Sequence, residues 1–124
     1  MSALVMSLLL AFQLKHWTCD FLLQNYYMLG KFNRDWSFVL PLLVHSAVHA
    51  VGSLLICLVI DYSVWWLCLI DLVTHFVIDR IKASPHMLGR YSDHMDVRYW
   101  WALGADQMAH QFVYIGIVFQ LAKS

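Results

Sequence analysis

The chain has 124 residues, of which 61% are hydrophobic, 15% aromatic and only 13% charged, with a mean hydropathy of +0.62. Soluble domains carry about 25% charged residues, so this composition lacks the side chains to dress a water-facing surface, and it is equally far from the polar composition of disorder. Eight basic and eight acidic residues cancel, which leaves no basic face for nucleic acid. Cys19, Cys57 and Cys68 are embedded in apolar runs and offer no disulfide framework. The expectation is one membrane domain over residues 1–124, an all-α, polytopic membrane four-helix bundle, since lipid forbids unpaired backbone strands.

The first helix is expected over about 3–29, carrying Lys15, His16 and Asp20, with Gly30 as its C-terminal stop. No basic residue precedes Lys15, unlike a secretory signal, so this segment reads as an uncleaved helix. The second, about 38–60, is free of charge; Ser37 can cap it and Pro41 sits in its first turn. The third, about 62–81, is interrupted by Asp71 and His75, and the fourth, about 97–121, by Arg98, Asp106 and His110. Between them lies a polar loop, 82–96, with Pro85 and Gly89. Lys31, Arg34, Arg80, Lys82, Arg90 and Arg98 cluster on one side of these spans, against Lys123 on the other. The positive-inside rule then makes 82–96 a cytoplasmic loop and puts both termini on the non-cytoplasmic side. Tyr26, Tyr27, Trp36, Tyr99, Trp100 and Trp101 flank the basic side, and Tyr62, Trp65 and Trp66 the other, as interfacial belts do.

Each helix carries acids or imidazoles one turn apart. The pairs are His16 and Asp20, His45 and His49, Asp71 with His75 and Asp79, and Asp106 with His110. A spacing of four puts two side chains on one helix face, the spacing by which a helix offers two ligands to one metal ion. In the orientation above, all nine groups fall within roughly 20 Å of the cytoplasmic edge at about 1.5 Å per residue. The far halves of the helices, including 54–60 and 113–119, are almost wholly apolar.

An acid at mid-bilayer is disfavoured by about 2.5–3.5 kcal/mol, so these groups should face the interior and pair. Inward aspartates repel one another unless protonated, bonded to histidine or neutralised by cations. Histidine nitrogens and carboxylates suit zinc and other divalent first-row metals. The expected metal ligands are His16, Asp20, His45, His49, His75, Asp79, Asp106 and His110, holding one or two ions with zinc favoured. Gln24 and Gln107 read as hydrogen-bonders behind the ligands, and Asp71 as the catalytic base or a supporting carboxylate. Lys15, Arg80 and Arg98 are candidates to hold a phosphate, although Lys15 also reads as a snorkelling side chain. Cys19 reads as packing, and His86 and His94 as solvated loop residues.

His16-x-x-x-Asp20-Phe21-x-x-Gln24, the His45/His49 pair, His75-Phe76-x-Ile78-Asp79 and Asp106-Gln107-x-x-His110 resemble the domain-of-unknown-function family 3307 over nearly the whole chain. That resemblance implies a small, four-helix, bacterial-type inner-membrane protein, of a cell or its phage, with a His/Asp centre; it implies no activity. A looser similarity links the spaced His and Asp to membrane-bound metal-dependent hydrolases.

The leading functional expectation is a metal-dependent hydrolase of a lipid or lipid-linked phosphoester at the cytoplasmic leaflet, with membrane lipid around it. One alternative is a proton or divalent-metal transporter or channel subunit, but 54–60 and 113–119 leave no polar exit unless a homo-oligomer builds one. The other is a non-catalytic membrane interaction protein whose polar core only sets helix register.

Overall fold

The computed structural model describes residues 2–124. Four α-helices make the bundle: α1 Ala3–Trp17, α2 Val39–Ile60, α3 Leu67–Ala83 and α4 Val97–Ala122, with no strand among the described residues. α1, α4 and the 3-10 turns that lead into α2 and α3 start with the capping chemistry of short polar side chains. Ser2 accepts from the Val5 amide, Asp35 from Ser37, Asp61 from Ser63 and Asp96 from Arg98. The expected cap of the second helix therefore shifts: Asp35 caps a 3-10 turn, Trp36–Phe38, that leads into α2, and Ser37 is the donor.

The first helix is shorter than its apolar pattern suggests. α1 passes into a π-helical turn, Thr18–Leu22, closed by Leu23 N donating to Thr18 O at 2.9 Å. The chain then bends into a 3-10 turn, Met28–Phe32, so Gly30 lies inside a turn rather than past a helix end. The third helix likewise starts late. Tyr62–Val64 is a 3-10 turn, and α3 runs on to Ala83. Both differences arise because apolar runs mark burial depth, and they do not distinguish an α-turn from a tighter or wider one.

Buried stripes define how the helices face one another. α2 buries Leu42, His45, Ser46, His49, Ala50, Ser53 and Cys57; α3 buries Asp71, His75, Asp79 and Ala83; α4 buries Ala102, Asp106, His110, Tyr114, Ile117, Val118 and Leu121. One end of the bundle is filled by an apolar plug of Leu8, Phe12, Cys57, Val64, Leu67, Tyr114, Ile117, Val118 and Leu121. It joins the starts of α1 and α3 to the ends of α2 and α4, so the helices alternate in direction. The polar residues occupy the opposite end.

The outside is apolar. Leu10, Leu14, Leu55, Val59, Val73, Val77, Phe112 and Phe119 are 50–82% exposed, whereas soluble monomers rarely expose contiguous apolar patches of that extent. One helical stretch among the described residues, Trp36–Ile60, is both long and apolar enough, at 25 residues, to cross a membrane. α1, at 15 residues, spans only about 22 Å.

Candidate metal centre

The site begins with local helix geometry. Residues four apart share a face, so α2 presents His45 with His49, α3 His75 with Asp79, and α4 Asp106 with His110. The fourth contributor, Asp20, lies in the π-turn after α1. Such wide turns are rare and concentrate at functional sites.

Six side chains meet. Asp20 Oδ1 lies 2.8 Å from His49 Nε2, 3.2 Å from His45 Nε2 and 4.0 Å from His75 Nε2. Asp79 Oδ2 lies 3.1 Å from His45 Nε2 and 3.3 Å from His75 Nε2, while its Oδ1 is 2.9 Å from His110 Nε2. The rings of His49, His75 and His110 stack in series, with centroids 3.7 and 4.1 Å apart. Ligand atoms of Asp20, His45, His49 and His75 all lie within 4.8 Å of one another, as do those of His75, Asp79 and His110. His75 belongs to both groups, and one Nε2 lone pair serves one ion.

The donor set fits a metal ion. His45 Nε2, His75 Nε2 and Asp79 Oδ2 are buried and have no hydrogen-bond partner among the described residues, although they crowd together. Buried polar atoms are otherwise nearly always satisfied, and a shared divalent cation would satisfy all three. Nitrogen and carboxylate donors are the chemistry that zinc and its first-row neighbours take.

Other residues expected in the set take different places. His16 is wrapped by protein: its Nδ1 is 2.8 Å from the Tyr114 hydroxyl, and its Nε2 is 2.9 Å from Gln107 Oε1 and 3.1 Å from Asp20 Oδ2. Asp106 stands at the edge, with Oδ1 3.4 Å from His110 Nε2 but without a hydrogen bond, and Oδ2 accepting from Gln107 at 3.0 Å. Gln24 accepts from Lys31 Nζ at 2.8 Å, rather than bonding a ligand.

The deeper charges pair with each other. Lys15 does not snorkel or reach an interfacial phosphate. It is buried, and its Nζ donates to Asp71 Oδ2 at 2.6 Å, Ser53 Oγ at 3.2 Å and the His49 carbonyl at 3.3 Å. Its stem crosses α2 at Gly52, where an added Cβ would come within 2.7 Å of Lys15 Cγ. Ser53 also donates to Asp71 Oδ2. Asp71 is therefore neutralised and buried behind His75, 3.9 Å from its Nδ1, and does not line the cavity as a base would.

Neither arginine lines the cavity, and both have other partners. Arg80 donates to the carbonyls of Lys31 at 2.9 Å and Asn33 at 3.0 Å. Arg98 pairs with Asp96 at 2.8 Å, an exposed pair whose Asp96 carboxyl is held below its ordinary range by that guanidinium. Cys19 is buried against the Val48 carbonyl. His94 turns to Tyr99 and Trp100 in the loop.

A cavity of about 250 Å³ opens at the polar end, walled by Asp20, Gln24, Lys31, Asp79, Lys82 and Asp106. Lys31 and Lys82 counted in the sequence only toward orientation, and neither Tyr114 nor Ser53 was singled out. The last two continue the stripes His45, His49, Ser53 and Asp106, His110, Tyr114, so the same spacing of four would have found them.

No protein of curated function and no solved structure matches the chain. The model of one family, described as a protein of unknown function, matches residues 6–124 and so includes every residue of the site. The chain belongs to that family, DUF3307.

Proposed function

We propose that the protein is an integral membrane, metal-dependent hydrolase that cleaves a lipid or lipid-linked phosphoester at the cytoplasmic leaflet of a bacterial-type inner membrane. The observation that carries this reading is the convergence of four imidazoles and two carboxylates beside an open cavity, with His45 Nε2, His75 Nε2 and Asp79 Oδ2 crowded together, buried and without hydrogen bonds among the described residues. The exposed apolar side chains on all four helices support a polytopic placement in lipid. Six basic residues near the polar end support its facing the cytoplasm, with the termini on the other side.

In this reading Asp20, Asp79, His45, His49, His75 and His110 hold the ion, zinc being favoured by the nitrogen-rich set. A divalent ion so held lowers the pKa of a bound water and polarises a phosphoryl oxygen. The protein's own groups do the rest. His16, fixed by Tyr114 and Gln107, orients Asp20. Asp106, in the cavity wall and with Oδ1 unpaired among the described residues, would serve as the proton acceptor there. Transport finds less support, because the apolar plug closes the far end of the bundle.

The test is a screen of phospholipids and polyprenyl phosphates with detergent-purified protein, with and without added divalent ions. Metal-dependent phosphate release that is lost in Asp79→Asn supports the proposal. A protein that binds metal, hydrolyses none of these, and carries metal or protons across liposomes in a manner lost with Asp106→Asn would replace it with transport.

A further inference from the structure

Two ammonium groups line the cavity, one of them held beside a ligand carboxylate and the other without an ion-pair partner among the described residues. Lys31 lies in the 3-10 turn Met28–Phe32, and Lys82 in the last turn of α3. Their Nζ atoms lie 5.5 and 5.7 Å from the centre of the same Phe32 ring. Lys31 reaches Gln24 at 2.8 Å and Asp79 Oδ2 at 3.6 Å. Lys82 makes no ion pair among the described residues.

This juxtaposition is built. Arg80 bonds the Lys31 and Asn33 carbonyls and stacks its guanidinium 3.5 Å over the Phe38 ring. It thereby ties the turn bearing Lys31 to the helix bearing Lys82. Two like charges held toward one cavity repel each other, and an anion between them relieves that repulsion. One divalent ion with two lysines already outweighs the three carboxylates of the wall, Asp20, Asp79 and Asp106. At about 250 Å³, the space falls below the roughly 300–1,000 Å³ of sites that enclose drug-sized ligands. A small tetrahedral headgroup suits it; a nucleotide does not.

We infer that Lys31 and Lys82 form an anion subsite that seats the phosphoryl group of the substrate at the mouth of the metal centre. The inference rests on the metal-dependent reading above and names the residues that would select its substrate.

The experiment titrates inorganic phosphate, and separately micelles of short-chain phosphatidic acid, into metal-loaded protein by calorimetry, for wild type, Lys31→Met, Lys82→Met and Lys123→Met. Each cavity variant should weaken phosphate binding about tenfold or more, as expected for loss of a hydrogen bond to a charged group, with metal content unchanged. Lys123→Met, at the other end, should bind as wild type. A lipid substrate predicts tighter binding of phosphatidic acid than of phosphate, and a soluble one predicts equal binding. Unchanged phosphate affinity in both cavity variants overturns the subsite alone. Loss of metal from both also overturns it, by making the lysines part of the scaffold. A wild-type protein that binds no divalent ion refutes the proposed function, and the subsite with it.

Discussion

Replacing Lys15 by methionine keeps most of the length of a side chain that is threaded past Gly52 and removes its ammonium group. Lys15 and Asp71 have side chains 4% and 2% exposed, with Nζ 2.6 Å from Oδ2. The substitution leaves the Asp71 carboxylate buried with Ser53 as its remaining donor. Removing one partner of a buried pair costs about 3–5 kcal/mol, because the other charge stays desolvated and uncompensated. At roughly 4 °C per kcal/mol for a chain of this size, Tm should fall by about 12–20 °C. Replacing both partners, as Lys15→Met with Asp71→Leu, removes the stranded charge and should recover most of that loss. Tryptophan fluorescence during thermal unfolding in detergent reads both variants. A fall of less than about 4 °C for Lys15→Met alone, equivalent to about 1 kcal/mol, would mean the ammonium lies in water or at a lipid headgroup.

Further outcomes follow from the same geometry. His49→Ala and His110→Ala should each lower bound metal; full metal retention in both, by elemental analysis, would remove them from the ligand set. Gly52→Ala sets a methyl 2.7 Å from Lys15 Cγ and should cost about 1–3 kcal/mol through overpacking, whereas an unchanged Tm would place the lysine stem elsewhere. Tyr114→Phe removes the hydroxyl 2.8 Å from His16 and should weaken metal affinity about tenfold, at the low end for a group that supports a ligand through a neighbour. Competition with a chromophoric chelator measures this, and unchanged affinity would detach His16 from the centre. Chelation of wild-type protein should lower Tm as the stabilisation by a bound ligand is lost.

What the sequence reveals about the site is set by helix periodicity. His45 with His49, His75 with Asp79, and Asp106 with His110 were visible as pairs because four residues nearly complete a turn. Their confinement to one end was visible because apolar runs flank them. The rotation of each helix was not. Lys15 precedes His16 by one position, yet its side chain passes behind the ligands to Asp71, a pairing 56 residues apart that no local pattern carries. The end of α1 was hidden for a related reason. Neither proline nor glycine marks the π-turn at Thr18–Leu22, and without that signal the apolar run reads as continuous helix. Arg80 and Arg98 looked available because charge alone does not show which carbonyls or carboxylates will consume it. Lys31 and Lys82 looked like ordinary interfacial charge until the turn Met28–Phe32 folded over the mouth.

The central claim is that the histidines and aspartates at the polar end hold a divalent metal ion. Elemental analysis of detergent-purified protein, expressed in metal-supplemented medium and washed without chelator, tests it most directly. One or two divalent transition ions per chain are expected, zinc foremost, falling sharply in a folded Asp20→Asn, Asp79→Asn double variant. Folded wild-type protein with no stoichiometric metal, or a double variant that keeps its full complement, would contradict it.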